Sequence, residues 1–317
     1  MPLANAINGR TKLVGVMGWP VEHSLSPQMH NAALAALGLN HCYVPLAVAP
    51  ERLRDAVAGL RALDFVGCNV TVPHKQAVRE YMQEISEEAQ AVGAVNTLVR
   101  RGDGWAGYNS DVPGFLATLA NTRFAPTTAT EEGFECRGKR TLILGAGGAA
   151  RGIIYALARS GATVVIVNRT PSRAEALARE MSLLFPGAAL EALPLTPAAL
   201  KKEAETAHLL VNTTTVGMWP ETAHSLWPDE LAYPPHLTLF DLIYNPLRTR
   251  LIAQAEAAGA RTISGLKMLV YQGAFSFRWW FGVMPPVDVM YQVCLNELAA
   301  NTRFAPTANT RFAPTKR

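Results

Sequence analysis

Cysteine is scarce in this chain and dispersed: Cys42, Cys68, Cys136 and Cys294 among 317 residues. None forms a C-x-x-C pair or stands at ligand spacing from a histidine, so zinc and redox motifs lack a basis and no metal site is expected. Long hydrophobic runs are missing too, since no stretch approaches the roughly 18 consecutive apolar residues of a membrane span. The first ten residues lack the basic start and apolar core of a secretory signal. Free thiols in a reducing cytoplasm are therefore expected. Charged residues reach only 17% against 49% hydrophobic, which excludes a mostly disordered chain, and the length favours two domains of ordinary size. The body also lacks a charge imbalance. The formal net charge is +4, and Arg303, Arg311, Lys316 and Arg317 place the same +4, with no acid, in the last 17 residues. A neutral body with a short basic tail offers no phosphate-binding face, so a small-molecule substrate is expected, with no nucleic acid and no membrane as partner.

What is present begins with an oddity. The heptapeptide Asn-Thr-Arg-Phe-Ala-Pro-Thr occurs at 121–127, 301–307 and 309–315. The period is too short and the copies too few for a solenoid, so they read as insertions tolerated in a surface loop and at the terminus. They also mark boundaries between differently patterned regions.

The first region alternates short strands and helices. Strands are expected at Lys12–Met17, His41–Ala47 and Gly67–Thr71, and helices at Pro27–Leu37, Arg52–Leu63, Lys75–Met82 and Glu84–Val92. A hairpin follows at Thr97–Arg100 and Trp105–Tyr108. Such alternation implies a mainly parallel sheet with helical crossovers. In the second region an apolar strand, Arg140–Leu144, meets a glycine-rich turn and a helix that Gly161 ends. Strands follow at Ala162–Val167, Leu209–Asn212 and Leu237–Asp241, with a helix from Thr249 to Ala258. The fold class is α/β with two α/β domains and the active site in the cleft between them.

Gly145-Ala146-Gly147-Gly148-Ala149-Ala150 fits G-x-G-x-x-A between a strand and a helix. Glycines there allow a tight turn and close backbone approach to a pyrophosphate, beside the free N–H groups of the helix start. An NAD site usually has an acid at the end of the next strand. Here that end reads Asn168-Arg169-Thr170-Pro171-Ser172-Arg173, with two guanidinium groups suited to a 2′-phosphate, so the cofactor expected is NADP.

Three segments of the first region put polar side chains at strand ends. In Gly18–Pro27, Ser24 and Ser26 can face a carboxylate or hydroxyl, and Ser26 is equally a natural N-cap before Pro27. In Gly67–Lys75, Asn69 and Thr71 share a face and Lys75 lies just beyond the strand's C-terminal end, where open α/β sheets bind ligands. Asn96 and Asp111 supply an amide and a carboxylate, each also common in turns.

Together these residues resemble the shikimate dehydrogenases of the shikimate/quinate dehydrogenase family. Eight motifs carry the likeness in order: H-S-x-S-P, N-V-T-V-P-H-K, G-A-V-N-T, N-S-D for the usual N-T-D, G-A-G-G-A, N-R-T-x-x-R, D-x-x-Y-N-P-x-x-T and G-x-x-M-L-V-x-Q, from about Lys12 to Ala300. The resemblance implies NADPH-dependent reduction of 3-dehydroshikimate to shikimate, with Lys75 and Asp111 as catalytic pair. It implies Ser24 and Ser26 on the substrate carboxylate, and Thr71, Asn96, Asp111, Tyr244 and Gln272 on its hydroxyls. For the cofactor it implies Gly145, Ala146, Gly147, Gly148, Ala149, Asn168, Arg169, Thr170, Arg173 and the backbone near Leu242 and Gly265, with Glu87 a weaker match. Lys267 stands where a small residue is common. The implied organisation is a substrate-binding domain over 1–119, completed by helices over 265–300. A linker spans 120–138, a Rossmann-type NADP-binding domain 139–264, and a repeat tail without order 301–317. A homodimer is the candidate assembly. The alternatives are a quinate/shikimate dehydrogenase using NAD or NADP, and a non-catalytic shikimate- or quinate-sensing relative. Retention of Lys75 and Asp111 speaks against the latter.

Overall fold

A computed structural model describes residues 7–120 and 133–303, the last three by backbone alone. The first and third heptapeptide copies, most of the expected linker and most of the tail lie outside those residues. The first region forms β1 (Lys12–Gly18), α1 (Ser26–Ala36), β2 (His41–Ala47), α2 (Leu53–Ala62), β3 (Gly67–Val70), β4 (Glu84–Ile85), α3 (Glu87–Val92), β5 (Thr97–Arg101), β6 (Gly104–Tyr108) and α4 (Asp111–Ala120). Its sheet has the order β2-β1-β3-β5-β6-β4, and only β5 runs against the rest. The expectation of a mainly parallel sheet therefore holds. β1 and β3 end side by side, with Met17 opposite Val70. The loops leaving them, 19–25 and 71–76, start together, and the Trp19 N–H donates to the Val72 carbonyl at 3.0 Å.

Tertiary pairing overrides three local expectations. Glu84–Ile85 is strand rather than helix, because the N–H groups of Gln83 and Ser86 bond to the carbonyls of Trp105 and Gly107. The helix starts only at Glu87, where the Ser86 hydroxyl accepts from the Ala89 N–H at 3.2 Å. Lys75–Met82 contracts to a 3-10 turn over Ala77–Tyr81. Ser26 does not cap α1: Leu25 holds that position, and the Ser24 hydroxyl accepts from the Ser26 N–H at 3.2 Å.

The second region forms β7 (Arg140–Leu144), α5 (Gly148–Arg159), β8 (Thr163–Asn168), α6 (Pro171–Leu184), β9 (Leu190–Pro194), α7 (Pro197–Ala204), β10 (Leu209–Asn212), β11 (Thr238–Asp241), α8 (Arg250–Ala257) and β12 (Thr262–Ser264). Every pair in the order β12-β11-β10-β7-β8-β9 is parallel. That is the doubly wound dinucleotide-binding arrangement, whose strand order reverses between β7 and β10. The central strands are buried on both faces, as their unbroken apolar runs require.

From β12 the chain returns to the first sheet. α9 (Gly265–Phe281) packs on α4 and β5, and α10 (Val287–Arg303) packs on α1. The Ser264 hydroxyl caps α9 by accepting from the Leu266 N–H, and Gly282, at φ 74°, closes it. One core joins β1, α1, α9 and α10 through Met29, Leu34, Phe277 and Met290. Another joins α4 to the second sheet: Val112, Phe115 and Leu119 pack with Ile143, Ile153 and Phe240, and Phe115 stacks on Phe240 at 5.2 Å. Arg159 of α5 also pairs with Glu88 of α3 at 2.9 Å.

His30 lies fully buried in the first core, stacked on Tyr43 at 4.3 Å, with no hydrogen-bond partner among the described residues for either ring nitrogen. Burial lowers its pKa from 6.5 to about 3. Below pH 6.5 the unfolded chain binds a proton that the native state refuses, so this residue's contribution to stability falls as pH falls. Between pH 7 and pH 5 the loss is about 2 kcal/mol. His30→Leu is expected to flatten the difference between urea unfolding curves at those two pH values by about that amount.

Candidate active site

Lys75 leaves β3 through a turn held by the Val95 N–H, which donates to the Lys75 carbonyl at 2.8 Å. Asp111 is the first residue of α4, where unpaired helix N–H groups favour negative charge. Its own N–H donates to Asn109 Oδ1 at 3.0 Å, and Asn109 Nδ2 donates to the Ala94 carbonyl at 3.0 Å. Lys75 Nζ donates to Asp111 Oδ2 at 2.7 Å, the two side chains being 31% and 23% exposed. His74, beside Lys75 in sequence, turns away and bonds the Val48 carbonyl at 2.7 Å.

α4 reaches this place by lying close against α9. A Cβ on Gly114 would stand 2.9 Å from the Gln272 backbone nitrogen. Gln272, Asn96 and Ser110 meet there. The Ser110 hydroxyl reaches Asn96 Oδ1 at 3.2 Å and Gln272 Oε1 at 3.3 Å, while Gln272 Nε2 donates to the Leu269 carbonyl at 2.7 Å. Ser24 is half-buried and Ser26 buried. Thr71 lies at the end of β3 with its methyl against Gly18, where a Cβ would sit 2.3 Å away. Tyr244 packs on the first core, and burial raises its phenol pKa.

In the second region Gly145 has φ +109°, and a Cβ there would meet Thr213 Oγ1 at 2.7 Å. The turn needs glycine for both reasons. Gly147 and Gly148 have nothing within 4 Å of a built Cβ. Gly147 is the N-cap of α5 and supplies no side-chain cap. Open space before uncapped helix N–H groups is what a pyrophosphate requires, so these residues fit a dinucleotide. Asn168 Nδ2 donates to the Thr170 carbonyl at 2.9 Å, shaping the turn from which Arg169 and Arg173 stand exposed. A Cβ on Gly265 would lie 2.1 Å from the Leu242 carbonyl oxygen, which brings those two backbones into contact. Below them buried Asp241 accepts from Thr249, Asn212 and the Ile243 N–H. Burial nonetheless holds its carboxyl above the ordinary range.

The structure thus joins Lys75 to Asp111, Asn96 to Gln272 through Ser110, and Leu242 to Gly265. Among the described residues no side-chain hydrogen bond or ion pair joins Thr71, Tyr244, Glu87, Arg169 or Arg173 to another candidate side chain. Lys267, which stands where a small residue is common in the family it resembles, is half-buried at the start of α9. Sequence reasoning missed Ser110 as a working residue and noted it only as a substitute hydroxyl. It also missed Tyr43, Thr97 and Ser276, which surround Asn69.

Comparison with known proteins follows this geometry. Residues 16–98 match the model of the shikimate dehydrogenase substrate binding domain, 127–215 that of shikimate / quinate 5-dehydrogenase, and 265–295 that of the shikimate 5'-dehydrogenase C-terminal domain. The shikimate dehydrogenase (NADP(+)) of Geobacter metallireducens is 45% identical over 285 residues, 90% of this chain and 96% of the relative. A Thermus thermophilus shikimate 5-dehydrogenase solved with NADP(H) and shikimate aligns at TM-score 0.78 and 38% identity, covering 90% of this chain and 99% of that one. The Listeria monocytogenes enzyme solved with shikimate and NAD aligns at TM-score 0.83 and 33% identity, over 91% of this chain and 98% of that one. Identity at this level along nine-tenths of the sequence, in the same two-sheet architecture, makes the chain a member of the shikimate dehydrogenase family.

Proposed function

We propose that this chain reversibly reduces 3-dehydroshikimate to shikimate with NADPH, as an oxidoreductase of the shikimate pathway towards chorismate and aromatic amino acids. The observation that carries the reading is the 2.7 Å Lys75–Asp111 contact at the junction of β3, α4 and α9. Ser24 and Ser26 hold the substrate carboxylate, while Thr71, Asn96, Asp111, Tyr244 and Gln272 hold its hydroxyls. Lys75 gives a proton to the carbonyl oxygen as it becomes a hydroxyl and takes it back in the reverse direction. Asp111 orients Lys75 for that transfer. Gly145–Ala149, Asn168–Arg173, Glu87 and the backbone near Leu242 and Gly265 hold NADP. When bound, NADPH supplies the hydride for the ketone carbon.

The reading divides the chain into a substrate domain, 1–119 with 265–300, and a cofactor domain, 139–264. The two separate sheets support that division. No helix among the described residues is long and apolar enough to cross a membrane. All four cysteines are free, which fits a reducing cytoplasm. The test is formation of reduced nicotinamide, followed by absorbance, from shikimate with NADP beside wells with quinate and NAD. Fastest turnover with shikimate and NADP is expected. A preference for quinate with NAD, or silence from folded protein in every well, overturns the assignment.

A further inference from the structure

Asn96 is 3% exposed, yet the protein satisfies only one end of its amide. Its Oδ1 accepts from the Ser110 backbone N–H at 2.7 Å, the Thr97 hydroxyl at 3.0 Å and the Ser110 hydroxyl at 3.2 Å. A backbone N–H can only donate, so the amide atom facing it is the oxygen. Turning the amide over would set two donors against each other. Nδ2 therefore carries its two N–H groups away from this cluster. It has no partner among the described residues and keeps contact with solvent.

A chain of buried polar groups stands behind that orientation. Tyr43 Oη, on β2, donates to Asn69 Oδ1 at 2.8 Å. Asn69 Nδ2, on β3, donates to Ser276 Oγ at 2.9 Å, and to Thr97 Oγ1 and the Asn96 carbonyl at 3.2 Å each. The Thr97 and Ser276 hydroxyls lie 2.8 Å apart. Ser276 can donate its proton to Thr97 across that contact, and Thr97, accepting from Asn69 and Ser276, can turn its own to Asn96 Oδ1. Every donor then points the same way, from Tyr43 towards Asn96. Buried networks satisfied in this way fix one arrangement.

We infer that Tyr43, Asn69, Thr97 and Ser276 form a positioning network that locks Asn96 as a pure donor, so that this part of the site selects a substrate oxygen that accepts a hydrogen bond. The inference rests on the placement of Asn96 in the substrate site proposed above. Thr97 touches no substrate on this reading and acts through Asn96.

Steady-state kinetics of Thr97→Val, Thr97→Ser, Asn96→Ala and the Thr97→Val/Asn96→Ala double variant test it, with shikimate and NADP as varied substrates. Loss of one neutral hydrogen bond corresponds to a two- to tenfold change. Thr97→Val is expected to raise KM for shikimate by about that factor, leaving kcat and KM for NADP within about twofold. Thr97→Ser, which keeps the hydroxyl, is expected to behave like the parent. Thr97→Val is expected to add nothing to Asn96→Ala, as residues acting through one another are non-additive. Additive effects, an equal rise in KM for NADP, or failure of Thr97→Ser to restore binding would overturn the network. So would a silent Thr97→Val beside a damaging Asn96→Ala. An Asn96→Ala variant with unchanged KM for shikimate would strike the site assignment itself. If Thr97→Val does not fold, Ser276→Ala takes its place with the same expectations.

Discussion

Lys75→Ala is expected to lower kcat by ~10²–10⁴-fold, the usual contribution of a positioned general acid or base. The size of the loss follows from what surrounds Lys75. Among the described residues it is the cation in contact with Asp111, at 2.7 Å. The nearest alternative in sequence, His74, is buried and committed to the Val48 carbonyl. His74 is therefore not placed to move the proton instead. KM for NADP is expected to stay within about twofold, since the glycine turn belongs to the other sheet. Stability is expected to change by about 1 kcal/mol, because the pair is only partly buried. A loss of kcat below tenfold would show that Lys75 is not the main proton donor.

Replacing both Arg169 and Arg173 by Ser is expected to raise KM for NADP by ~10²-fold or more while leaving NAD within a few fold. A hydrogen bond to a charged group is worth ~1.5–3 kcal/mol, and about 1.4 kcal/mol is a factor of ten. Both side chains are exposed at the end of β8, where a guanidinium matches a phosphate in charge and shape. Neither side chain has a hydrogen-bond partner among the described residues, so thermal stability is expected to hold. kcat/KM measured for each cofactor with saturating shikimate decides the matter. An equal loss with NAD and NADP would mean that these arginines shape the turn rather than recognise the 2′-phosphate.

The parts of this fold that were legible in sequence are those with local causes. The second sheet's buried strands announce themselves as apolar runs, as at Arg140–Leu144 between Gly138 and Gly145. The glycine turn is legible because its physics is confined to a few consecutive residues. α4 was not anticipated: its Pro113 is tolerated in the helix's first turn, and its Gly114 is required by contact with α9, a relation outside local pattern. β9 was missed for a related reason, being a half-exposed edge strand without a clear period. Glu84–Ile85 becomes a strand only through its partner β6. For the site, the pairing of Lys75 with Asp111 came from motif resemblance, not from spacing. Asn69 and Ser276 are 207 positions apart and bonded at 2.9 Å, a relation no local pattern encodes.

α4 carries a consequence for anyone who would exchange the cofactor half of this protein for another. Phe115 and Leu119 seal the second sheet's core, while Asp111 at the same helix's start holds Lys75. A graft joined after residue 120 strips the incoming module of the side chains its own helix would have supplied. A graft joined before residue 111 hands the carboxylate to the newcomer and leaves the lysine behind. Nucleotide preference in this scaffold is therefore best retuned by point changes at the end of β8, because the module that binds the nucleotide does not come away as a cassette.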